Sequence, residues 1–465
     1  MAVLLAAACP ACGAPIGIDA AENAVRCDRC GSAHLVLRGA GTTVAELDSR
    51  TTAEEACSLA CAAFEDERRR RGRIGPIPVV ESVLPFAGPV RILVARLHEA
   101  AVVRGAAGEP EAAVTTRLVE GARSALRDPL RLPTAAPLAG IDSLSLSPVT
   151  RRRVAAPPFD ADEAAFAADA EGLLAVRSGA APALIRDALA FPLARVVVLR
   201  PCRLVSVSSG GSRAGVLVDE ASRQATALLS RAAEEALRED IAERSLPAAL
   251  PPVLRPMRCP ECASPFPLDR EGQLRICPAC RRAFLVSGRR LLPVPYEAEL
   301  PPSPRGRLLV PAWRFAFVLE DPRDGREVTS VAAVRSRCGE AAATVVEGPA
   351  PLDVPAFFPA DRRTQRPGVQ PLPSLAPAAF PLHEGPARGE AGFPEPRLVG
   401  ALGPREAARV VRHALLAALR PETVARASAR RLKALLFDAP LRLGPPRLVL
   451  RALRRADAEA DPKET

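Results

Sequence analysis

Two cysteine sets with identical spacing constrain this chain more than any other feature of its sequence. Each set is a Cys-x-x-Cys pair, fourteen intervening residues and a second Cys-x-x-Cys pair. The ligands are Cys9, Cys12, Cys27 and Cys30 in the first set and Cys259, Cys262, Cys277 and Cys280 in the second. Two thiolates separated by two residues can chelate one ion from a tight turn, and four sulfurs complete a tetrahedral shell. Each set therefore predicts a closed structural Zn²⁺ site, and the chain two zinc ions.

Two other interpretations of the cysteines compete with zinc. Disulfides would use the same residues, but a reducing compartment disfavours them. Iron in a rubredoxin-like site is chemically possible. The apolar and aromatic shell expected of an electron carrier is missing from the sequence, so zinc is favoured.

The residues between and after the cysteine pairs also correspond. Ile16 and Ile18 match Phe266 and Leu268, alternating apolar pairs that predict a half-buried strand in each copy. A second short strand should deliver the second cysteine pair, at residues 24–26 and 273–276, and apolar runs at 35–37 and 284–286 predict a third. Each copy is therefore predicted to be two cysteine turns joined by a hairpin and completed by a third strand.

The turn residues differ between the copies. Gly13 and Gly31 follow ligand cysteines in the first copy, where glycine tolerates a positive φ angle. The second copy has Ala263 and Arg281 at these positions, so we expect slight backbone strain there.

Both segments resemble rubredoxin-knuckle zinc ribbons of the Cys-Pro-x-Cys type, beginning at Cys9-Pro10 and Cys259-Pro260. The whole layout is similar to that of bacterial proteins with two ribbons in tandem, each followed by a β-rich module. The resemblance covers the ribbons, a small part of the chain. It implies structural zinc and brings no assigned activity.

The length of 465 residues predicts two to four domains. Aromatic residues make up 3% of the chain, so Ala, Leu and Val must provide most of the packing. The predicted fold class is α+β and multidomain, with two small β zinc ribbons each followed by a mixed strand and helix module. The predicted segments are zinc ribbon 1 at 1–38, a helical connector at 39–77, an α+β module at 78–250, zinc ribbon 2 at 251–292, a β-rich and Pro-rich module at 293–403, and C-terminal helices with a basic tail at 404–465.

Several elements are predicted between and after the ribbons. Thr52-Ala-Glu-Glu has the pattern of a capping box and should begin a helix. The other predicted elements are strands at 85–97 and 311–319, a hairpin at 195–219, a helix at 221–244, extended or loop structure at 348–404, and helices at 404–419 and 421–437.

The formal charge of +10 is concentrated at the C-terminus, where residues 401–465 hold 14 basic and 7 acidic side chains. Such a tail could meet nucleic acid, anionic lipid or an acidic partner, or could be a solvated helix face. No apolar run reaches the length of a membrane span, and the first eight residues lack the positive region of a signal peptide. The predicted location is the reducing cytoplasm.

A search for catalytic motifs gives no convincing site. His34, His98, His383 and His413 have neither paired metal spacing nor an obvious nucleophile beside them. His34 could support the first metal site, although a surface position is favoured. Cys57 and Cys61 would share a helix face, where a role as small hydrophobic residues is preferred over a metal or thiol pair. Cys202 and Cys338 are lone thiols, expected to be buried or incidental.

The leading functional hypothesis is a non-catalytic scaffold in which zinc-stiffened ribbons bind a protein partner. The alternative is nucleic-acid binding through arginines on and near the ribbons, a class in which aromatic stacking residues are usual and here scarce. A third hypothesis is an enzyme that carries the ribbons as structural appendages. The arginine candidates for the alternative are Arg26, Arg29, Arg275, Arg281 and Arg282.

Overall fold

The structure is a computed structural model that describes residues 4–19, 22–38, 42–104, 108–124, 147–148, 153–160, 162–177, 183–246, 252–268, 272–299, 307–339, 350–355, 403–419 and 421–454. The chain forms two compact units. Unit 1 comprises residues 1–95, 119–173 and 192–255, and unit 2 comprises residues 96–118, 174–191 and 256–465. Each unit is therefore built from three separate stretches of the chain, whereas the sequence predicted consecutive segments.

The chain up to residue 256 contains fourteen of the strands and three of the helices that the structure describes. In chain order these are β1 (Leu4–Ala8), β2 (Pro15–Asp19), β3 (Ala24–Arg26), β4 (Ala33–Leu37), β5 (Thr43–Glu46), α1 (Ala53–Arg70), β6 (Val79–Arg104), β7 (Pro110–Ser124), β8 (Ser147–Pro148), β9 (Arg153–Ala156), α2 (Glu163–Arg177), β10 (Ala183–Ser209), β11 (Ser212–Asp219), β12 (Gln224–Leu229), α3 (Arg231–Asp240), β13 (Ala242–Ser245) and β14 (Val253–Pro256).

A seven-stranded sheet is the framework of unit 1. Its order is β12-β11-β10-β5-β8, and β6 pairs with both β10 and β7. The predicted hairpin is confirmed, since β10 and β11 pair antiparallel around Gly210 and Gly211. Both glycines have positive φ, which a tight two-residue hairpin turn requires.

The segment predicted as a helical connector, 39–77, contains a strand as well as a helix. β5 pairs in parallel with β10, so the chain leaving the first ribbon joins the large sheet before α1 begins. The helix itself starts as predicted. Thr52 accepts a hydrogen bond from the N–H of Glu55, and the Glu55 side chain accepts one from the N–H of Thr52.

The predicted helix at 221–244 is wrong at both ends, since residues 224–229 form β12 and residues 242–245 form β13, which pairs with β9. The Asp219 carboxylate accepts a hydrogen bond from the N–H of Ala221, and Arg223 adopts a φ of 57° in a turn that redirects the chain. Residues 224–229 then form β12 against β11. Ser230 caps the helix that follows, which begins at Arg231 and ends at Asp240. Sheet pairing has overridden a local helical pattern here.

The rest of the chain supplies the remaining described elements, which all lie in unit 2 together with parts of β6, β7, α2 and β10. These are β15 (Leu274–Ile276), β16 (Ala283–Ser287), β17 (Arg290–Val294), β18 (Tyr296–Glu299), β19 (Arg307–Phe315), β20 (Phe317–Glu320), β21 (Glu327–Val328), α4 (Val331–Arg337), β22 (Leu352–Pro355), α5 (Pro404–Arg409), α6 (Val411–Ala417), α7 (Pro421–Arg426), α8 (Ala429–Lys433), a π-helical turn (Ala434–Asp438), β23 (Leu441–Leu443) and β24 (Arg447–Arg454).

Three sheets organise the described part of unit 2: β15-β16-β17, β18-β24-β19-β22 and β21-β20-β23. The two predicted C-terminal helices are present as short segments, with breaks at residue 410 in the first and at residues 427–428 in the second. The prediction of a charged tail after them needs correction. Residues 447–454 form β24, an interior strand that pairs with β18 on one side and β19 on the other. Most of the predicted Pro-rich segment, 348–404, lies outside the described residues.

Candidate metal centres

The first cysteine set lies in two hairpins of unit 1. β1 and β2 flank the turn that carries Cys9 and Cys12, and β3 and β4 flank the turn that carries Cys27 and Cys30. Each knuckle is therefore the turn of its own hairpin, whereas the sequence had predicted one hairpin joining two knuckles. β14 adds to the second hairpin to complete a three-stranded sheet.

The second set is held by a partly different frame in unit 2. β15 and β16 flank the turn of Cys277 and Cys280, and β17 extends this sheet. The predicted strand at Phe266 and Leu268 is absent from this described segment. A single bridge between Arg258 and Pro265 takes its place. Pro265 and Pro267 lack backbone N–H donors on either side of Phe266, so a ladder cannot extend there.

Both sets bring four sulfurs together. In the first centre the Sγ atoms of Cys9 and Cys30 lie 3.7 Å apart, as do those of Cys12 and Cys27. In the second centre the matching distances are 3.6 Å for Cys259–Cys280 and 3.4 Å for Cys262–Cys277. Within each set the four atoms all lie within 4.8 Å of one another. All eight residues are free cysteines, separated by far more than the roughly 2.05 Å of an S–S bond.

These separations fit a tetrahedral metal. Four sulfurs about 2.3 Å from a central ion are about 3.8 Å apart along each edge of the tetrahedron. Each tetra-cysteine group could hold one metal ion. The four-sulfur donor set leaves no open coordination position, so these residues fit a structural rather than a catalytic metal.

The thiol pKa values in the first centre show why a cation would be needed. Desolvation raises the pKa of Cys9, but the Ser32 hydroxyl and backbone N–H groups outweigh it and lower the pKa to about 5. A backbone hydrogen bond from Ala14 lowers the pKa of Cys12, whereas desolvation and the neighbouring thiols raise it, to about 12 overall. One sulfur is therefore ionised at neutral pH and another is kept protonated by its neighbours.

The second centre repeats this split with different residues. The backbone and hydroxyl of Ser264 lower the pKa of Cys262 to about 6. Desolvation raises the pKa of Cys277 to about 12. Sulfurs packed this closely do not all ionise unless a positive charge lies between them, and a bound metal ion supplies that charge.

The knuckle backbones differ as the sequence predicted. Gly13 and Gly31 both have a φ of 72° in the first centre, and Ala263 and Arg281 both have a φ of 58° in the second. A left-handed conformation is unfavourable for residues with a Cβ atom, by roughly 1–2 kcal/mol each. The second pair of knuckles therefore stores strain that the first pair avoids.

A histidine and a serine support the first centre. The Nε2 atom of His34 lies 3.4 Å from the Cys9 sulfur and 2.8 Å from the Ser32 hydroxyl, which is itself 2.9 Å from the Cys30 sulfur. His34 is 2% exposed, so the expectation of a surface histidine is wrong. Pairing of Val25 with His34 places this side chain over the knuckle.

Aromatic residues take that position in the second centre. Phe284 is buried at the site equivalent to His34 and contacts Phe266 edge-to-face, with 5.9 Å between the ring centroids. The Tyr296 hydroxyl donates to the carbonyl of Arg281, 2.7 Å away, and so holds the strained knuckle. Arg282 stands where the first copy has Ser32, and it forms a 2.7 Å ion pair with Glu261.

The buried faces of both ribbons are parts of larger hydrophobic cores. Cys9, Cys27 and Ile16 pack in one cluster with Val94 of β6 and Val196 of β10. In unit 2, Leu274 and Ala283 belong to the cluster that contains Trp313. The metal centres are therefore continuous with the modules that the sequence had placed after them.

The five arginines proposed for nucleic-acid contact differ in their exposure and pairing. Arg26 and Arg29 are exposed on the first ribbon. Arg275 is 3% exposed and so cannot serve as a surface cation. Arg281 is partly buried, and Arg282 is exposed but paired with Glu261.

The four remaining cysteines have environments similar to those predicted. Cys202 and Cys338 are buried, as expected, and desolvation raises the pKa of Cys202 to about 11. Cys57 and Cys61 are half-buried on α1, and Cys61 packs against the core beneath the helix. Among the described residues, neither of this pair joins a group of metal-ligating side chains.

Sequence reasoning missed one cluster of titratable groups in unit 2. His413 Nε2 lies 2.6 Å from Asp187 Oδ2, and His98 stacks on His413 with 5.0 Å between the ring centroids. Both imidazoles are buried. The three residues come from β6, β10 and α6, far apart in the chain, so no local pattern could reveal the cluster.

Among the described residues, no helix is both long and apolar enough to cross a membrane. The chain was also compared with protein-family models, with curated proteins and with solved structures, and none of the three comparisons gives a match.

Proposed function

We propose that this protein is a non-catalytic zinc-binding scaffold, in which two Zn²⁺ centres present exposed knuckle tips to a protein partner. The main support is the two-sided construction of each ribbon. Its strands are built into a core, while the turn residues between the cysteines face solvent. The exposed tips are residues 10–13 and 28–31 in unit 1 and residues 260–263 and 278–279 in unit 2.

Zinc suits these centres better than other metals. Four thiolates at tetrahedral spacing favour Zn²⁺ or iron, and zinc supplies rigidity without redox chemistry. The exposure of the residues Cys12, Cys30 and Cys262, and the partial exposure of Cys280, argue against the dry shell of an electron carrier. A reducing cytoplasm would keep all eight ligands available.

Nucleic-acid binding is less well supported. Of the five arginine candidates, Arg275 is buried and Arg282 is engaged by Glu261. The basic C-terminal segment contributes β24 to a sheet and so is not wholly available as an extended arm.

Catalysis by the buried histidine cluster is also less well supported. His98 and His413 are 7% and 0% exposed, so neither ring can touch a substrate without local opening. We assign this cluster to the core of unit 2.

The test combines metal analysis with partner binding. Elemental mass spectrometry should find two zincs per chain. Stoichiometric co-purification with one partner, checked by cross-linking, should be lost in Ala11→Glu or Ala279→Glu, which change exposed tips but leave the ligands intact. Matched changes on the exposed face of α1, such as Ala62→Glu, should leave the partner bound.

A parallel measurement of nucleic-acid binding can overturn the scaffold proposal. Fluorescence anisotropy with single-stranded and duplex probes at 50 and 200 mM salt would detect phosphate recognition. The affinity of a protein that makes six phosphate contacts falls by about a thousandfold between these two salt concentrations. Salt-dependent binding of that kind, with no stoichiometric protein partner, would replace the scaffold with the nucleic-acid function.

A further inference from the structure

We infer that the two centres hold zinc unequally: the first is a retained structural site and the second is an exchangeable one. This inference rests on the proposed zinc-binding function and assigns different roles to its two sites. Two independent features of the structure support it, the polar groups around the sulfurs and the backbone of the knuckles.

The first feature is the hydrogen bonding to the sulfurs. In the first centre, the imidazole of His34 approaches Cys9 and the hydroxyl of Ser32 approaches Cys30, at 3.4 and 2.9 Å. The second centre has a comparable hydroxyl, Ser264 beside Cys262, but it has Phe284 in place of the imidazole.

The surroundings of His34 favour a donor role. Its Nδ1 atom is buried without a hydrogen-bond partner, so we assign the proton to Nε2, which lies between the Ser32 hydroxyl at 2.8 Å and the Cys9 sulfur at 3.4 Å. Such a bond stabilises the thiolate form that binds zinc, so protons compete less with the metal for that sulfur. A phenyl ring cannot provide it. Removing partners of this kind weakens metal affinity by about 10- to 100-fold.

The second feature is the strain in the knuckles. Formation of the second centre forces Ala263 and Arg281 into left-handed conformations, at φ 58° each. Gly13 and Gly31 adopt the same conformation in the first centre without a steric penalty. Loss of metal frees the second pair of knuckles to relax, so strain favours release there.

The Phe284–Phe266 contact shields the second centre on one side and opposes these effects. It does not cover the outer sulfur, because Cys262 is exposed. Strain and the missing donor therefore determine the order in which the two centres lose zinc. The second ribbon is expected to lose its zinc first as the free zinc concentration falls. The second knuckle tips would then be presented only when zinc is plentiful, while the first remain in place.

The inference is tested by equilibrium competition between the full-length protein and a chromophoric zinc chelator. Wild type should show two steps, with one zinc held at least about tenfold more tightly than the other. Cys277→Ser should retain the tight step and Cys27→Ser the weak one, which assigns each step to a centre.

Matched exchanges between the copies then test each cause. His34→Phe should weaken the tight step about 10- to 100-fold. Ala263→Gly and Arg281→Gly should each strengthen the weak step about fivefold, since relief of strain is partly offset by the extra freedom of glycine when the knuckle is open. Because the glycine variants are expected to gain affinity, a failure to fold cannot imitate their predicted result.

Two outcomes would overturn the inference and are distinguishable from each other. Two zincs of equal affinity, or a tight step assigned to the second centre, would refute the unequal pair while the zinc scaffold stands. Fewer than two zincs bound per wild-type chain at saturating free zinc would remove the proposed function together with the inference.

Discussion

At the scale of single residues, unit 2 contains an ion pair that is buried on both sides. Arg431 donates to both carboxylate oxygens of Asp321, through Nη1 at 2.8 Å and through Nη2, and Arg337 approaches the same carboxylate at 3.5 Å. The hydrogen bonds from Arg431 lower the pKa of Asp321 to about 2. The carboxylate is therefore ionised, and it is held by the two arginines and by the backbone N–H of Arg323.

Breaking this pair should be far more damaging than breaking a surface pair. Arg431→Met leaves a buried charge and should lower the free energy of unfolding by about 3 kcal/mol or more. The fluorescence of Trp313, the sole tryptophan and a member of the same core, measures this in urea.

Two further variants serve as controls for the Arg431→Met result. The double variant Asp321→Asn with Arg431→Met should lose less than the sum of the single changes, because no unpaired charge remains. Arg442→Met, which breaks an exposed pair with Glu327, should change stability by less than about 1 kcal/mol. Equal losses for Arg431→Met and Arg442→Met would contradict the argument.

The stacked histidines make a separate prediction about pH. Desolvation and the neighbouring His413 lower the pKa of His98 from 6.5 to about 3. The unfolded chain therefore binds a proton below pH 6.5 that the folded chain does not. The stability is complete above pH 6.5 and declines as the pH falls toward 3.

Between pH 7.5 and 5.5 this histidine alone should account for a loss of about 1.4 kcal/mol. His98→Phe keeps a ring to stack on His413 and should remove that part of the pH dependence, as read from Trp313 in urea at each pH. Equal pH dependence in wild type and variant would show that His98 is not buried in the neutral form.

At the scale of elements, the sequence predicted the capped helix α1 and the β10–β11 hairpin correctly, but it missed strands whose pairing competes with another local pattern. The helix after Thr52 depends on a capping box four residues long, so the sequence predicts it directly. The helix predicted at 221–244 competes with strand β12, whose partner β11 precedes residue 221 and so contributes nothing to the helical pattern. At 447–454, arginines flank a short apolar run, and the basic character hides an interior strand.

That strand gives the clearest prediction at this scale. Leu448, Val449 and Leu450 in β24 are buried, and burial of three such side chains contributes roughly 5–8 kcal/mol, comparable to the whole stability of a domain. Removing residues 445–465 should abolish the cooperative Trp313 transition, since Leu448 pairs directly with Trp313. Removing residues 455–465 alone spares β24 and should preserve it. Persistence of the transition in the longer truncation would disprove an essential role for this strand.

At the scale of the whole molecule, the sequence predicted the two cysteine groups that could each hold a metal ion and missed their surroundings. The eight cysteines were found because their spacing is local and repeated. The support from His34 depends on a strand pairing, and the His98–His413–Asp187 cluster depends on three distant elements. Neither leaves a periodic or spaced signal in the chain.

The continuity of each ribbon with a core also changes what loss of metal should do. Cys9 and Cys27 pack within the core of unit 1, and the strands around Cys277 pack within the core that holds Trp313. A ribbon that were a separate appendage could lose zinc without consequence for its module. Here the four ligands hold strands that the core itself uses.

Two matched variants test this consequence. Cys277→Ser should release one zinc and lower the urea midpoint of the Trp313 transition, because β15 and β16 would no longer be fixed beside that core. Cys27→Ser should also release one zinc but leave the Trp313 midpoint nearly unchanged, with faster hydrogen exchange mainly in β2, β4 and the central part of β10. Elemental analysis supplies the zinc count for both proteins. If Cys277→Ser kept two zincs, the ligand assignment would be wrong. If it lost one zinc with no change in the Trp313 transition, the second ribbon would be an independent appendage and metal binding would not stabilise the module.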